Sequence, residues 1–162
     1  MVRVDYRRGI RLMRELCCSA SFILLLVAGC NDAQARLVPR DQIAGDAIPK
    51  PLTGTPGDAE AGANVFASRG GGHCVLCHQV DGLDAPFQGN VGPVLTGVGS
   101  RLSPGQIRLR IVDYELIRPG VLMPSYYRTH NLYQVSEAEA GRPALPAQSV
   151  EDLVAYLSTL KD

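Results

Sequence analysis

Gly72-His73-Cys74-Val75-Leu76-Cys77-His78 holds the pattern C-x-x-C-H over residues 74–78, and its chemistry organises the reading of the rest of the chain. Two thiols three residues apart, followed at once by an imidazole, form the attachment signature of a c-type haem. Each thiol adds across one vinyl group, and two intervening residues in a helical turn bring both sulfurs to neighbouring vinyls on one porphyrin edge. The next side chain, His78, then falls under the iron. Three other uses of the pair fit less well. A structural zinc site needs two further ligands, no second C-x-x-C occurs, and His78 follows Cys77 too closely for easy tetrahedral geometry. A thioredoxin-type dithiol needs a βαβ setting, whereas Gly70-Gly71-Gly72 precedes this pair and loop follows it. A disulfide between residues this close closes too small a loop to stabilise much.

His78 supplies one axial bond, and the second comes from Met123, His73, His130 or nothing. Met123 stands in Gly120-Val121-Leu122-Met123-Pro124, where an apolar pair before it and a proline after it hold the thioether in a fixed loop. The competing reading is a core gap-filler. Its place in a loop, away from any helix stripe, favours the ligand. His73 is tethered beside Cys74 and poorly placed for the opposite face, and His130 sits in a polar loop. The second ring N–H of His78 needs a carbonyl. Gly92-Pro93 is the candidate source, because proline fixes the peptide and glycine permits close approach. Arg101, Arg108 and Arg110 are candidates for the haem propionates or a partner, with a solvated face the expected fate of at least two.

The chain has 162 residues, 46% apolar and 20% charged, with sixteen basic against sixteen acidic side chains. That composition excludes disorder and collagen. No basic block occurs outside the N-terminus, so a nucleic-acid surface is set aside. With no Trp, six Tyr and three Phe, little aromatic bulk is available to fill a core, and a cofactor would supply it.

Residues 1–35 read as a secretory leader. Arg3, Arg7, Arg8, Arg11 and Arg14 form a basic head, residues 16–29 are uncharged and mostly apolar, and small residues follow. The apolar stretch is short for a membrane span, which needs about 20 residues. Two cleavage sites compete: Ala33-Gln34-Ala35 has the A-x-A form, and Leu26-Val27-Ala28-Gly29-Cys30 looks like a lipoprotein box ending in a lipid-accepting Cys30. Arg7-Arg8 fits twin-arginine export poorly, so Sec export to the periplasm is expected. Without the leader, eleven Lys/Arg face thirteen Asp/Glu, a net −2. Cys17 and Cys18 leave with it, Cys30 leaves or is lipidated, and Cys74 and Cys77 are the cysteines left in the domain, with Met123 its one methionine.

Residues 36–57, with four prolines and no apolar period, read as an extended tether, which puts the domain at 58–162. Asp58 caps a predicted helix through Ala67 that ends before the triple glycine. Residues 79–103, rich in Gly and Pro without alternation, read as loop. Ser103-Pro104-Gly105-Gln106 has the capping-box form and opens a helix with Ile107, Ile111 and Tyr114 on one face, stopping before Pro119. Residues 120–148 are irregular. Val150, Leu153, Val154, Leu157 and Leu160 then follow helical spacing.

CVLCHQV (74–80), FQGNVGPVLTGVGSRLS (87–103), QIRLRIVD (106–113), MPSYYRT (123–129) and VEDLVAYLSTL (150–160) together resemble class I cytochromes c, and within them the SoxX family of monohaem subunits of SoxAX thiosulfate-oxidising complexes. C-x-x-C-H alone is common to all cytochromes c. The other stretches are the more specific ones, and the resemblance runs through most of residues 58–161. It implies an all-α fold of short helices and long loops wrapped round one covalent haem c, with the terminal helices crossing where Gly62 and Phe66 meet Leu153, Tyr156 and Leu157. It carries over Cys74 and Cys77 as thioether sites, His78 as proximal and Met123 as distal ligand. It further implies a SoxA-like cytochrome subunit as partner in a heterodimer, a SoxYZ carrier whose cysteine is coupled to thiosulfate, and a small cytochrome c as electron acceptor. In that reaction, an L-cysteine S-thiosulfotransferase activity, this chain would transfer electrons and supply no catalytic nucleophile. The lipobox-like Cys30 departs from the family's plainly cleaved leader. A generic periplasmic monohaem shuttle is the alternative function, and a gas-binding haem sensor would require an open axial position.

Overall fold

The computed structural model describes residues 37–162, so the leader, its cleavage sites and Cys17, Cys18 and Cys30 lie outside the described residues. Helix α1 (Ala59–Ala67) starts at an extended Asp58, whose carboxylate accepts from the backbone N–H of Glu60 and Ala61 at 2.8 and 2.9 Å. Those bonds satisfy donors that have no partner inside the helix. Helix α3 (Pro104–Asp113) opens on a capping box: Gln106 N–H donates to Ser103 Oγ at 3.4 Å, and Ser103 N–H donates to Gln106 Oε1 at 2.9 Å. Helix α4 (Ala147–Thr159) buries Val150, Leu153, Val154, Tyr156 and Leu157, and Leu160 follows its last turn half-buried.

Two details of the helices differ from the sequence expectation. Within the expected loop 79–103 lies a single helical turn, α2 (Val98–Arg101), entered through Gly97 in left-handed backbone at φ 69°. Four residues are too few to show a period, which is why the turn leaves no trace in the pattern. Tyr114 also leaves the face of Ile107 and Ile111. It stands past the end of α3, in a 3-10 turn at Tyr114–Leu116, half-buried with the Arg110 guanidinium 5.8 Å from its ring centroid.

The core forms where α1 crosses α4. A Cβ on Gly62 would fall on the Asp152 carbonyl, so only glycine lets the two backbones approach this closely. One turn on, Phe66 is 1% exposed and meets Tyr156 edge-on, with centroids 5.7 Å apart and planes at 60°. Burying a side chain like Phe66 contributes about 1.5–3 kcal/mol. Helix α2 is fastened to the end of α4 by Gly99 N–H donating to the Leu160 carbonyl at 2.9 Å.

Residues 37–57 do not hang off the domain as a tether. Ile48 is 0% exposed, and its N–H donates to the Gly105 carbonyl at 2.9 Å. Leu52 N–H donates to Glu151 Oε1 at 2.9 Å, and Val38 joins the core. The compact unit accordingly runs Arg36–Asp162. A segment without period still packs when one apolar plug is buried and its backbone groups find partners on neighbouring helices.

Arg108 joins the three parts. It lies buried on α3, donating through Nε and Nη2 to the two carboxylate oxygens of Glu151 on α4 at 2.7 and 2.8 Å, and through Nη1 to the Ile48 carbonyl at 2.7 Å. The expected solvent or propionate role is therefore wrong for this arginine. Its charge is used inside the protein, where only a paired guanidinium is tolerated.

Candidate haem site

After α1 the triple glycine reverses the chain: Gly72 N–H donates to the Val65 carbonyl at 2.9 Å, and a Cβ on Gly71 would stand 2.7 Å from that same oxygen. His73 takes left-handed backbone at φ 52° and leads into a 3-10 turn at Cys74–Leu76. Cys77 and His78 both donate their N–H to the Cys74 carbonyl, at 3.0 and 2.9 Å. The turn thus gathers Cys74, Cys77 and His78 within one revolution of backbone. Both thiols are free. Burial pushes the Cys74 thiol up to about 12, and neighbouring Cys77 adds to the shift.

A loop lies along this turn and clasps it. Gly89, Gly92 and Leu95 donate their N–H groups to the carbonyls of Val75, Cys77 and Gln79, each at 2.8 Å. Side chains extend the clasp: Val80 N–H donates to Gln88 Oε1 at 2.7 Å, and Asp81 N–H to Thr96 Oγ1 at 2.8 Å. The glycines are required by contact, because a Cβ on Gly89 would overlap the Leu76 carbonyl, and one on Gly92 would lie 2.6 Å from His78 Nδ1 and 2.8 Å from Nε2.

His78 Nδ1 is 2.7 Å from the Pro93 carbonyl oxygen. A carbonyl only accepts, so Nδ1 carries the proton and Nε2 keeps its lone pair. An imidazole locked in this tautomer, cradled on a glycine and one residue from a free thiol, fits a haem ligand. A zinc centre fits less well: among the described residues, no group of three or more His, Cys, Asp or Glu side chains could hold a metal ion.

Met123 is half-buried in the loop that follows Gly120, itself at φ 77°. The loop is bound to the end of α3. Tyr126 and Tyr127 donate their N–H groups to the carbonyls of Ile111 and Val112 at 3.1 and 3.2 Å, and Ser125 Oγ donates to Asp113 Oδ1 at 2.7 Å. Arg128 Nη1 reaches Asp113 Oδ1 at 3.2 Å and Glu115 Oε2 at 2.6 Å. Burial raises the Tyr126 phenol well above its ordinary range, with the Cys74 and Cys77 sulfurs adding to it. Leu145 joins the loop of Met123 to the turn of the two cysteines: its N–H donates to the Tyr126 carbonyl at 3.0 Å, and a Cβ on Gly72 would stand 3.7 Å from its Cδ1 and 2.9 Å from Cys74 Sγ.

The remaining candidates divide. His73 is half-buried at the entrance of the turn. His130 lines a small recess with Leu37, Val38, Ile43 and Val112, which include side chains of the packed N-terminal segment. Arg101 donates to the carbonyls of Thr96 and Val94 at 2.8 and 3.4 Å and so ties down the end of the clasp. Arg110 pairs with Asp46 at 3.2 Å. A cleft of about 500 Å³ borders the Met123 loop at Pro124, Ser125 and Arg128, but none of Cys74, Cys77, His78 and Met123 lines it. Sequence reasoning did not single out Gly89, Gln88, Asp113, Ser125 or Tyr126, whose partners are set by long-range contacts between irregular segments.

Known proteins resemble the chain in sequence and in fold. A family model for cytochrome c matches residues 59–161. Among solved structures, the chain is similar to SoxXA from P. pantotrophus, at 34% sequence identity and a TM-score of 0.67, over 72% of this chain and 91% of that one. No curated protein matches the sequence.

Proposed function

Because the chain belongs to the cytochrome c family, with a class I, SoxX-like fold, we propose that it is the electron-transfer subunit of a SoxAX complex. Its cofactor is one covalently bound haem c, which when bound supplies exchange of one electron at a time. Cys74 and Cys77 would hold it as thioethers, and His78 through Nε2 and Met123 through sulfur would bind its iron. The observation that carries this reading is the His78 ring seated on Gly92 with its Nδ1 proton fixed on Pro93, in the turn that bears both free thiols. Pro93 fixes the ring's orientation and its tautomer. Leu76, Phe87, Val91 and Val94 are exposed apolar side chains on the turn and its clasp, and they suit a face that meets another protein.

The reaction served is oxidative coupling of thiosulfate to a carrier cysteine. An S–S bond forms between the cysteine sulfur and the outer sulfur of thiosulfate, the thiol proton leaves, and two electrons are released. One haem takes one electron, and Cys74 and Cys77 are consumed as thioethers. The coupling centre therefore belongs on the SoxA-like subunit, while this chain passes electrons to a small cytochrome c. Similarity to a SoxXA structure supports that partner.

The test is a mass shift on the SoxYZ carrier cysteine, measured with this chain alone, the SoxA-like partner alone, and both. Conjugation is expected on mixing, with this haem reduced as thiosulfate and carrier are added. Conjugation by this chain alone would refute the division of labour. Failure to bind any SoxA-like protein, with ready electron exchange with respiratory complexes, would favour a generic periplasmic shuttle.

The protein is exported to the periplasm in this reading, because the leader and haem attachment require the same side of the membrane. Mass spectrometry of the mature chain is expected to find either Arg36 or a diacylated Cys30 at its start. Haem-bearing protein that still begins at Met1 would overturn the export reading.

A further inference from the structure

Asp113 is a costly residue where it stands. It ends α3 and is 4% exposed, so a carboxylate has been placed in the interior and at the helix terminus whose dipole repels negative charge. Its hydrogen-bonding partners are Ser125 Oγ at 2.7 Å and Arg128 Nη1 at 3.2 Å to one oxygen and 3.4 Å to the other. Both come from one loop, and Ser125 lies two residues after Met123.

The backbone repeats the same attachment. Tyr126 and Tyr127 donate to the carbonyls of Ile111 and Val112, so the loop is registered against the last three residues of α3 one after another. Between the anchored Ser125 and Met123 stands only Pro124, whose ring fixes its φ. Glu115 Oε2 takes the same nitrogen, Arg128 Nη1, at 2.6 Å, so two carboxylates share one end of the guanidinium.

We propose that Asp113 is a positioning residue for Met123, acting through Ser125 and Arg128 to hold the thioether where it outcompetes other ligands. This rests on the reading of Met123 as the distal ligand. A neutral thioether is a weak donor to iron, readily displaced by a nitrogen base unless the loop presents it at high effective concentration. Charge-assisted bonds to a buried carboxylate are the strongest anchors available to such a loop. Loosening them lowers that effective concentration without touching the haem attachment turn.

The experiment uses the full holoprotein. It records haem per chain, the weak Met–iron charge-transfer band of the oxidised state, and the affinity for added imidazole, in wild type, Met123→Ala, Asp113→Asn, Ser125→Ala, Ser125→Thr and Asp46→Asn. Met123→Ala is expected to lose the band. Asp113→Asn is expected to keep its haem, weaken the band and bind imidazole about tenfold more tightly or better, the scale of a lost charge-assisted bond. Ser125→Ala should move the same way by less, Ser125→Thr should restore wild-type behaviour because it keeps the hydroxyl, and Asp46→Asn, an exposed ion pair, should change neither. If Asp113→Asn does not fold, the two Ser125 variants decide. Wild-type imidazole affinity in both Asp113→Asn and Ser125→Ala, with the band lost only in Met123→Ala, overturns the positioning role and leaves the ligand standing. A band that survives in Met123→Ala, or is missing from wild type, overturns the ligand reading itself.

Discussion

Gly92→Ala is expected to drive the His78 ring from its seat and, on the proposed reading, to cost the protein its haem. The added Cβ would stand 2.6 and 2.8 Å from the two ring nitrogens of His78, closer than side chains tolerate. The backbone has no room to withdraw, because Gly92 N–H is committed to the Cys77 carbonyl at 2.8 Å. The ring must therefore turn and give up the Pro93 carbonyl. Overpacking costs about 1–3 kcal/mol, and loss of the exposed hydrogen bond to Pro93 about 0.5–1.5 kcal/mol more. We expect haem content per chain to fall sharply and the remaining holoprotein to melt earlier. Gly70→Ala, where a new Cβ meets nothing within 4 Å, should match wild type in both measurements. A Gly92→Ala protein with wild-type haem content and melting would disprove the cradle.

Arg108→Met is expected to destabilise the fold by about 3–5 kcal/mol, the cost of leaving a buried charge without its partner. Against a typical total of about 5–15 kcal/mol this is a large loss, visible as a lowered midpoint in denaturant. Three contacts go at once: both bonds to Glu151 and the bond to the Ile48 carbonyl. The double variant Arg108→Met/Glu151→Leu should recover only part of the loss. It removes the stranded carboxylate, but Ile48 C=O and Leu52 N–H lose their side-chain partners. Wild-type stability in the single variant would show that the ion pair holds nothing together.

Where chemistry or a cap dictates spacing, the chain could be read directly. C-x-x-C-H is legible because thioether geometry leaves few alternatives, and α1 and α3 because Asp58 and Ser103 close their first turns. The carbonyl for His78 was legible as well, since a Gly-Pro pair offers a fixed peptide and room beside it. The rest depends on contacts that no local pattern carries. Arg108 sits in Gln106-Ile107-Arg108-Leu109-Arg110 and looks like one of two solvent charges, yet its burial is decided by Glu151, 43 residues away. Ile48 packs as a single plug without a period around it. Asp113 meets Ser125 and Arg128 across 12 and 15 residues of irregular backbone, where sequence spacing says nothing about approach.

The crossing of α1 with α4 also sets a schedule. Asp58 N–H is satisfied by Asp152 Oδ1 and Leu52 N–H by Glu151 Oε1, over separations of 94 and 99 residues, so these two groups have no partner until the last helix exists. The Cys74–Leu76 turn needs only sequence neighbours to form, whereas the α1–α4 crossing must close loops of 94 and 99 residues. The two thiols therefore sit on early-forming local structure, and α4 is the latch that shuts after the cargo turn has taken shape.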